Sequence, residues 1–132
     1  MIKKVDHISI VVKNLDEGLK TYEDLLGVKH SHVEEIPDQG IKAAMLVLGD
    51  VEIELIEPTS ADSGVAKFLE KKGEGIHHIC LEVDDVDKEL AALADKGVDL
   101  IDKQGRKGLA GKIGFIHPRS TRGVLVELAQ KI

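Results

Sequence analysis

The chain is almost without aromatic residues: Tyr22, Phe68 and Phe115 stand among 132 positions, and there is no tryptophan. That removes the stacking platforms on which single-stranded nucleic acid is usually held. A single cysteine, Cys80, excludes an internal disulfide and a cysteine-rich zinc centre. No apolar run approaches the ~18 residues of a membrane span. An excess of positive charge is missing as well. The 24 acidic and 18 basic residues leave a net charge of −6, which argues against a general nucleic-acid or acidic-membrane binder. Strand-like alternation begins within Met1-Ile2-Lys3-Lys4-Val5-Asp6, so no leader is expected, and the expected location is a reducing, cytoplasmic one. What is present, 42% hydrophobic and 32% charged residues, is the composition of a globular chain long enough for one domain with its own core.

The chain repeats itself. Residues 5–16 read VDHISIVVKNLD and residues 76–87 read IHHICLEVDDVD; at an offset of 71, His7 meets His78, Ile8 meets Ile79, Val12 meets Val83 and Asp16 meets Asp87. Leu15, Leu19 and Tyr22 follow the first segment at helical spacing, and Val86, Leu90 and Leu93 follow the second. Asn14 and Asp85 suit N-caps, Glu17 could complete a capping box, and Gly27 and Gly97 suit left-handed C-caps. Near the module ends, Val51 to Ile56 matches Val124 to Ala129 at an offset of 73, which sets Glu54 against Glu127.

Each half therefore reads as strand, helix and about three strands. The expected strands are 5–12, 28–36, 41–48, 50–57, 76–83, 98–102, 111–117 and 123–129. A bridging helix at about 63–72 presents Val65, Phe68 and Leu69 as an apolar stripe. The fold expected is α+β: two tandem βαβββ modules, about 1–58 and 75–132, forming one curved mixed sheet around a metal-bearing cleft, with helices on the outer face. The whole of 1–132 is expected to be a single domain.

Side chains alternate between the two faces of a strand. In strand one, Ile8, Ile10 and Val12 oppose His7, Ser9 and Val11. In the strand at 76–83, Ile79, Leu81 and Val83 oppose His78, Cys80 and Glu82. The aliphatic faces suit packing under helices. The other faces carry His7, Glu54, His78 and Glu127 at equivalent points of the two halves. Two imidazoles and two carboxylates form a donor set for a divalent metal, with coordination positions left for substrate. Any one of these residues alone is explained by an ordinary hydrogen bond or by solvent; their common face and repeat relationship are what join them. Glu52 shares the parity of Glu54 and is separated from it only through the repeat. His77 has the parity of a packing residue. His30 and His32 read as surface residues, Cys80 as a small buried one, and His117 before Pro118 suits either the cleft or a turn.

Residues 103–122 contain Lys103, Arg106, Lys107, Lys112, Arg119 and Arg122, all three arginines of the chain among them, and no acid. This is +6 in twenty residues of a chain whose total is −6, so the rest carries −12. Gly105, Gly108, Gly111 and Gly114 lie in the same stretch. A glycine-rich basic loop can hold phosphate or carboxylate oxygens, arginine in bidentate fashion. For any single lysine a solvated surface position is the better explanation; it is the cluster that points to an anionic ligand.

The segments VDHISIVVKNLDEGLKTYEDLLGV, VEIELIEPTSADSGVAKFLEKKGEGIHHICLEVDD and GFIHPRSTRGVLVEL resemble the vicinal oxygen chelate superfamily, also known as the glyoxalase fold. Within it they resemble the methylmalonyl-CoA epimerase family. The resemblance covers nearly the whole chain and places the family's metal ligands on His7, His78, Glu127 and Glu54. In one respect the sequence departs from the pattern: some epimerases carry a catalytic glutamate after a Gln-Gly pair, whereas Gln39-Gly40 is followed here by Ile41-Lys42-Ala43.

The resemblance implies an isomerase that epimerises (2R)- and (2S)-methylmalonyl-CoA through an enolate, aided by one divalent ion. It implies Co2+ for that ion, with Mn2+, Ni2+ or Zn2+ as alternatives, and a homodimer. Glu127 and Glu54 are then the expected bases. Arg119, Lys112 and Ser120 are the expected contacts to the CoA phosphates or the free carboxylate. Two alternatives stand beside this: a glyoxalase I-type lyase or isomerase with the same metal site, and a non-enzymatic small-molecule binder on the same scaffold.

Overall fold

The computed structural model describes residues 1–109 and 111–131. Ala110, inside the basic stretch, and Ile132, the last residue of the expected second module, lie outside them. The chain divides into two compact units: His7–His77, and Met1–Asp6 together with His78 onward.

The first unit holds the second half of β1 (Ile2–Val11), then α1 (Leu15–Leu26), β2 (His30–Ile36), β3 (Ile41–Leu48), β4 (Val51–Pro58) and α2 (Gly64–Lys72). The strand order is β2-β3-β4-β1, with β1 parallel to β4 and the other pairings antiparallel. Asn14 accepts from Glu17 N–H at 2.9 Å and so caps α1, which ends at Gly27 with φ +69. The apolar side of α1 packs Leu15 and Leu19 with Val12, Ala44, Leu46 and Leu55. Full burial of a leucine such as Leu55 contributes about 1.5–3 kcal/mol. The bridging helix is present as α2, and its Val65, Phe68 and Leu69 pack on Val11, Ile41, Ala43 and Ile56.

The second unit repeats the arrangement with β5 (Gly75–Val83), α3 (Val86–Asp95), β6 (Arg106–Gly108), β7 (Gly111–Ile116) and β8 (Val126–Gln130). The order is β6-β7-β8-β5, again with one parallel pair, β5 and β8. Asp85 caps α3 by accepting from Lys88 N–H. The two helix-side cores match position by position under the repeat: Val12 with Val83, Leu15 with Val86, Leu19 with Leu90 and Leu55 with Leu128. This is the α+β, doubled βαβββ arrangement expected. Among the described residues, no helix is long and apolar enough to cross a membrane.

Three strands differ from expectation by three residues or more, the first because it begins at Ile2 and not at 5. Residues 98–102 form a single bridge, Leu100 to Ile116, and the third-to-last strand falls instead at Arg106–Gly108. The cause is Asp102. Its carboxylate accepts from Phe115 N–H at 2.8 Å, while Ile101 and Asp102 N–H both donate to Phe115 C=O, so a side chain replaces the ladder after one bridge. The last strand begins at Val126 and not at 123. Residues Pro118–Ser120 form a 3-10 turn, and Arg122 (φ +57) and Gly123 (φ +96) then take left-handed conformations that no strand accommodates.

Candidate functional site

Four buried ionisable side chains occupy the expected positions. In the first unit, His7 on β1 and Glu54 on β4 are each 4% exposed, with Nε2 and Oε1 3.8 Å apart. In the second, His78 on β5 and Glu127 on β8 are 8% and 5% exposed, with the corresponding atoms 3.0 Å apart. The local geometry follows from the parallel pairing. Ser9 lies in register with Glu54 and Cys80 with Glu127, so the histidine two residues earlier shares their face.

Each pair offers one imidazole nitrogen and one carboxylate oxygen from inside the protein. Burying an ionised carboxylate is costly unless it is paired or bound to a cation. Nitrogen and oxygen donors of this type suit first-row divalent ions, and the donor chemistry of both pairs fits such an ion.

The surroundings include groups that periodicity alone did not single out. Ser9, fully buried, donates its hydroxyl to Glu54 Oε1. The ring of Phe115 stands edge-on to His78, with centroids 5.6 Å apart at 85°. Asp6, next to His7 in sequence, is buried and paired with Lys131 Nζ at 2.6 Å. The repeat holds the signal for Ser9, since it aligns with Cys80 on the same face. The Asp6–Lys131 pair has no such signal, because Lys131 lies beyond the repeated segment.

His77 and His117 take the packing and turn roles open to them, whereas His30 is part-buried and not a free surface residue. His77 packs against Phe68, 5.0 Å between ring centroids. His117 accepts from Arg119 N–H and caps the 3-10 turn. His30 Nδ1 lies 2.9 Å from Glu23 Oε2, which also accepts from His30 N–H; these contacts hold the Glu23 carboxyl below its ordinary value. Cys80 is fully buried.

The three expected anion contacts are engaged with aspartates or with the turn. Arg119 Nε donates to Asp99 Oδ2 at 2.9 Å, and Ser120 Oγ accepts from Asp99 N–H at 2.8 Å. Lys112 Nζ bonds to Asp87, whose other oxygen accepts from Gly105 N–H. The Lys112 ammonium, with that N–H, holds the Asp87 carboxyl below its ordinary value. A third cation, Arg106, donates to Asp102 and lies over the Phe115 ring. Three cations of the basic stretch are therefore paired with aspartates that precede it in the sequence.

Residues 6–116 match the profile of the glyoxalase/bleomycin resistance protein/dioxygenase superfamily. The chain is 45% identical to the uncharacterized protein YqjC of Bacillus subtilis, over 98% of this chain and 93% of that one. It is 35% identical to the mitochondrial methylmalonyl-CoA epimerase of Homo sapiens, over 96% of this chain and 73% of that one. Among solved structures, it is similar to a methylmalonyl-CoA epimerase in complex with methylmalonyl-CoA and NH4+. That similarity has a TM-score of 0.92 at 38% identity and covers 99% of this chain and 96% of that one.

Proposed function

The chain belongs to the methylmalonyl-CoA epimerase family of the glyoxalase/bleomycin resistance protein/dioxygenase superfamily, and from that membership we propose that it interconverts (2R)- and (2S)-methylmalonyl-CoA. The observation that carries the proposal is the recurrence of a buried His–Glu pair at equivalent positions of the two modules. In this reading the modules act as one domain. His7, Glu54, His78 and Glu127 form the ligand set of one divalent ion, Co2+ by family resemblance.

The α-hydrogen of the substrate lies between a thioester and a carboxylate. A divalent ion held by these residues supplies Lewis-acid stabilisation of the negative charge that develops there on deprotonation. Epimerisation requires the proton to leave one face and return to the other. Glu127 and Glu54 are the two carboxylates related by the repeat, which supports assigning one to each face. One takes the α-proton to leave an enolate, and the other gives a proton to the opposite face. The two glutamates exchange protonation states in each turnover, and exchange with solvent resets them.

Arg119, Lys112 and Ser120 are assigned to the anionic parts of the substrate. The ion pairs of Arg119 and Lys112 lie at the surface, where such pairs are worth only ~0–1 kcal/mol, so a phosphate or carboxylate can displace them at little cost. Family resemblance supports a homodimer, and the single buried thiol supports a reducing compartment, the cytoplasm.

Deuterium wash-in at the α-carbon of methylmalonyl-CoA tests the assignment. Wild-type protein exchanges the α-proton, and Glu127→Ala abolishes exchange with the fold intact. Exchange at the wild-type rate in that variant removes Glu127 as a base. His7→Ala loses bound metal; full stoichiometric metal in that variant refutes the ligand set.

A further inference from the structure

Glu57 and Gln130 occupy the same position in the two modules, three residues after Glu54 and Glu127 respectively. Each reaches from its strand to the first residue of the module's helix. Glu57 Oε1 accepts from Leu15 N–H at 2.6 Å, and Gln130 Oε1 accepts from Val86 N–H at 2.9 Å. The first N–H groups of a helix have no partner inside it. Asn14 and Asp85 serve Glu17 and Lys88, and the strand side chains serve the helix start itself.

We infer that Glu57 and Gln130 are positioning residues that lock the histidine-bearing strand against the glutamate-bearing strand in each module. The inference rests on the reading of those residues as metal ligands. The connection from β1 to α1 is only residues 12–14, and that from β5 to α3 only residues 84–85. The start of each helix is thus tightly tied by the chain to His7 or His78. The bond from Glu57 or Gln130 ties the same point to the strand carrying Glu54 or Glu127. Parallel ladders have evenly spaced hydrogen bonds, so a slip of two residues preserves both pairing and facing. A contact outside the ladder removes that freedom and sets His7 relative to Glu54, and His78 relative to Glu127.

The chemistry of the two acceptors separates this role from simple charge stabilisation. A helix N-terminus favours a negative charge, which would select glutamate at both positions. One position holds a neutral amide, and what the two share is an acceptor oxygen at the same point. Glutamine at position 57 therefore preserves the lock.

The test titrates metal-free protein with Co2+ by calorimetry and measures kcat, KM and Tm in parallel. Glu57→Ala and Gln130→Ala are expected to weaken Co2+ binding by about tenfold, as loss of groups supporting metal ligands does, and to lower kcat more than they change KM. Glu57→Gln retains affinity within about threefold on the same scale. Alanine variants that lose only Tm, with Co2+ affinity and kcat unchanged, overturn the inference, as does Glu57→Gln behaving like Glu57→Ala. If the alanine variants do not fold, Glu57→Gln and Gln130→Glu decide: retained Co2+ affinity in both supports the lock, and its loss refutes it. Wild-type protein that binds Co2+ without exchanging the α-proton overturns the proposed reaction alone, since the lock is judged on affinity.

Discussion

Ser9 donates its hydroxyl to Glu54 Oε1 from the neighbouring parallel strand, where the two residues are register partners. Cys80 stands at the same point opposite Glu127. A hydroxyl is a stronger donor than a thiol, so the two modules place chemically different side chains in register with their glutamates at one repeated position.

Ser9→Ala is expected to destabilise the protein by about 1–3 kcal/mol, because it takes a hydrogen bond from a buried acceptor. Ser9→Thr keeps the donor but adds a methyl group to a fully buried site. Urea denaturation of the metal-free protein checks the first substitution; a change below about 0.5 kcal/mol would show the hydroxyl to be energetically idle.

Acid sensitivity follows from Asp87 and Glu23. Both carboxyls lie below their ordinary values, Asp87 through Lys112 and Gly105 N–H, and Glu23 through His30. A carboxyl lowered in the native state contributes stability that is complete above its unfolded value. That contribution is lost as pH falls through the native one. Lys112→Ala removes the largest cause for Asp87. The urea midpoints of wild type and variant should therefore differ most near about pH 7 and converge only as pH falls below the ordinary aspartate range. A gap of equal size at both ends would assign the effect of Lys112 to something other than the Asp87 charge.

Two glycines separate local strain from tertiary collision. Gly27 has φ +69 with open space where a Cβ would lie, whereas at Gly111, with φ +118, a Cβ would come within 2.5 Å of the Gln130 carbonyl oxygen. Gly27→Ala should cost about 1–2 kcal/mol, the ordinary left-handed penalty. Gly111→Ala should cost more and also shift β8 beside Gln130. Thermal melts rank the two, and equal losses would contradict the collision.

The repeat was readable because duplication preserves which positions are apolar, and that pattern is local. Val12, Leu15 and Leu19 and their counterparts Val83, Val86 and Leu90 were placed by periodicity alone. The strand faces of His7, Glu54, His78 and Glu127 were readable for the same reason, since parity along a strand assigns a face. The strand expected at 98–102 was not, because Val98 and Leu100 carry the right alternation while the Asp102 side chain, meeting Phe115 thirteen residues away, decides where pairing stops. The partners of the basic stretch escaped for a similar reason: Asp87 and Asp99 lie outside the segment whose charge drew notice.

The amino-acid order by itself determined the doubled βαβββ plan, the helix caps at Asn14 and Asp85, and the candidacy of His7, Glu54, His78 and Glu127. Each of these depends on spacing within one element or on comparison of two copies. Tertiary structure alone decided that Ser9 meets Glu54, that Asp6 meets Lys131, and that Glu57 and Gln130 reach the helix starts. These are contacts between groups separated by forty or more residues. Strand pairing brings the groups together, and no periodicity in a single segment encodes which polar side chain will find which partner.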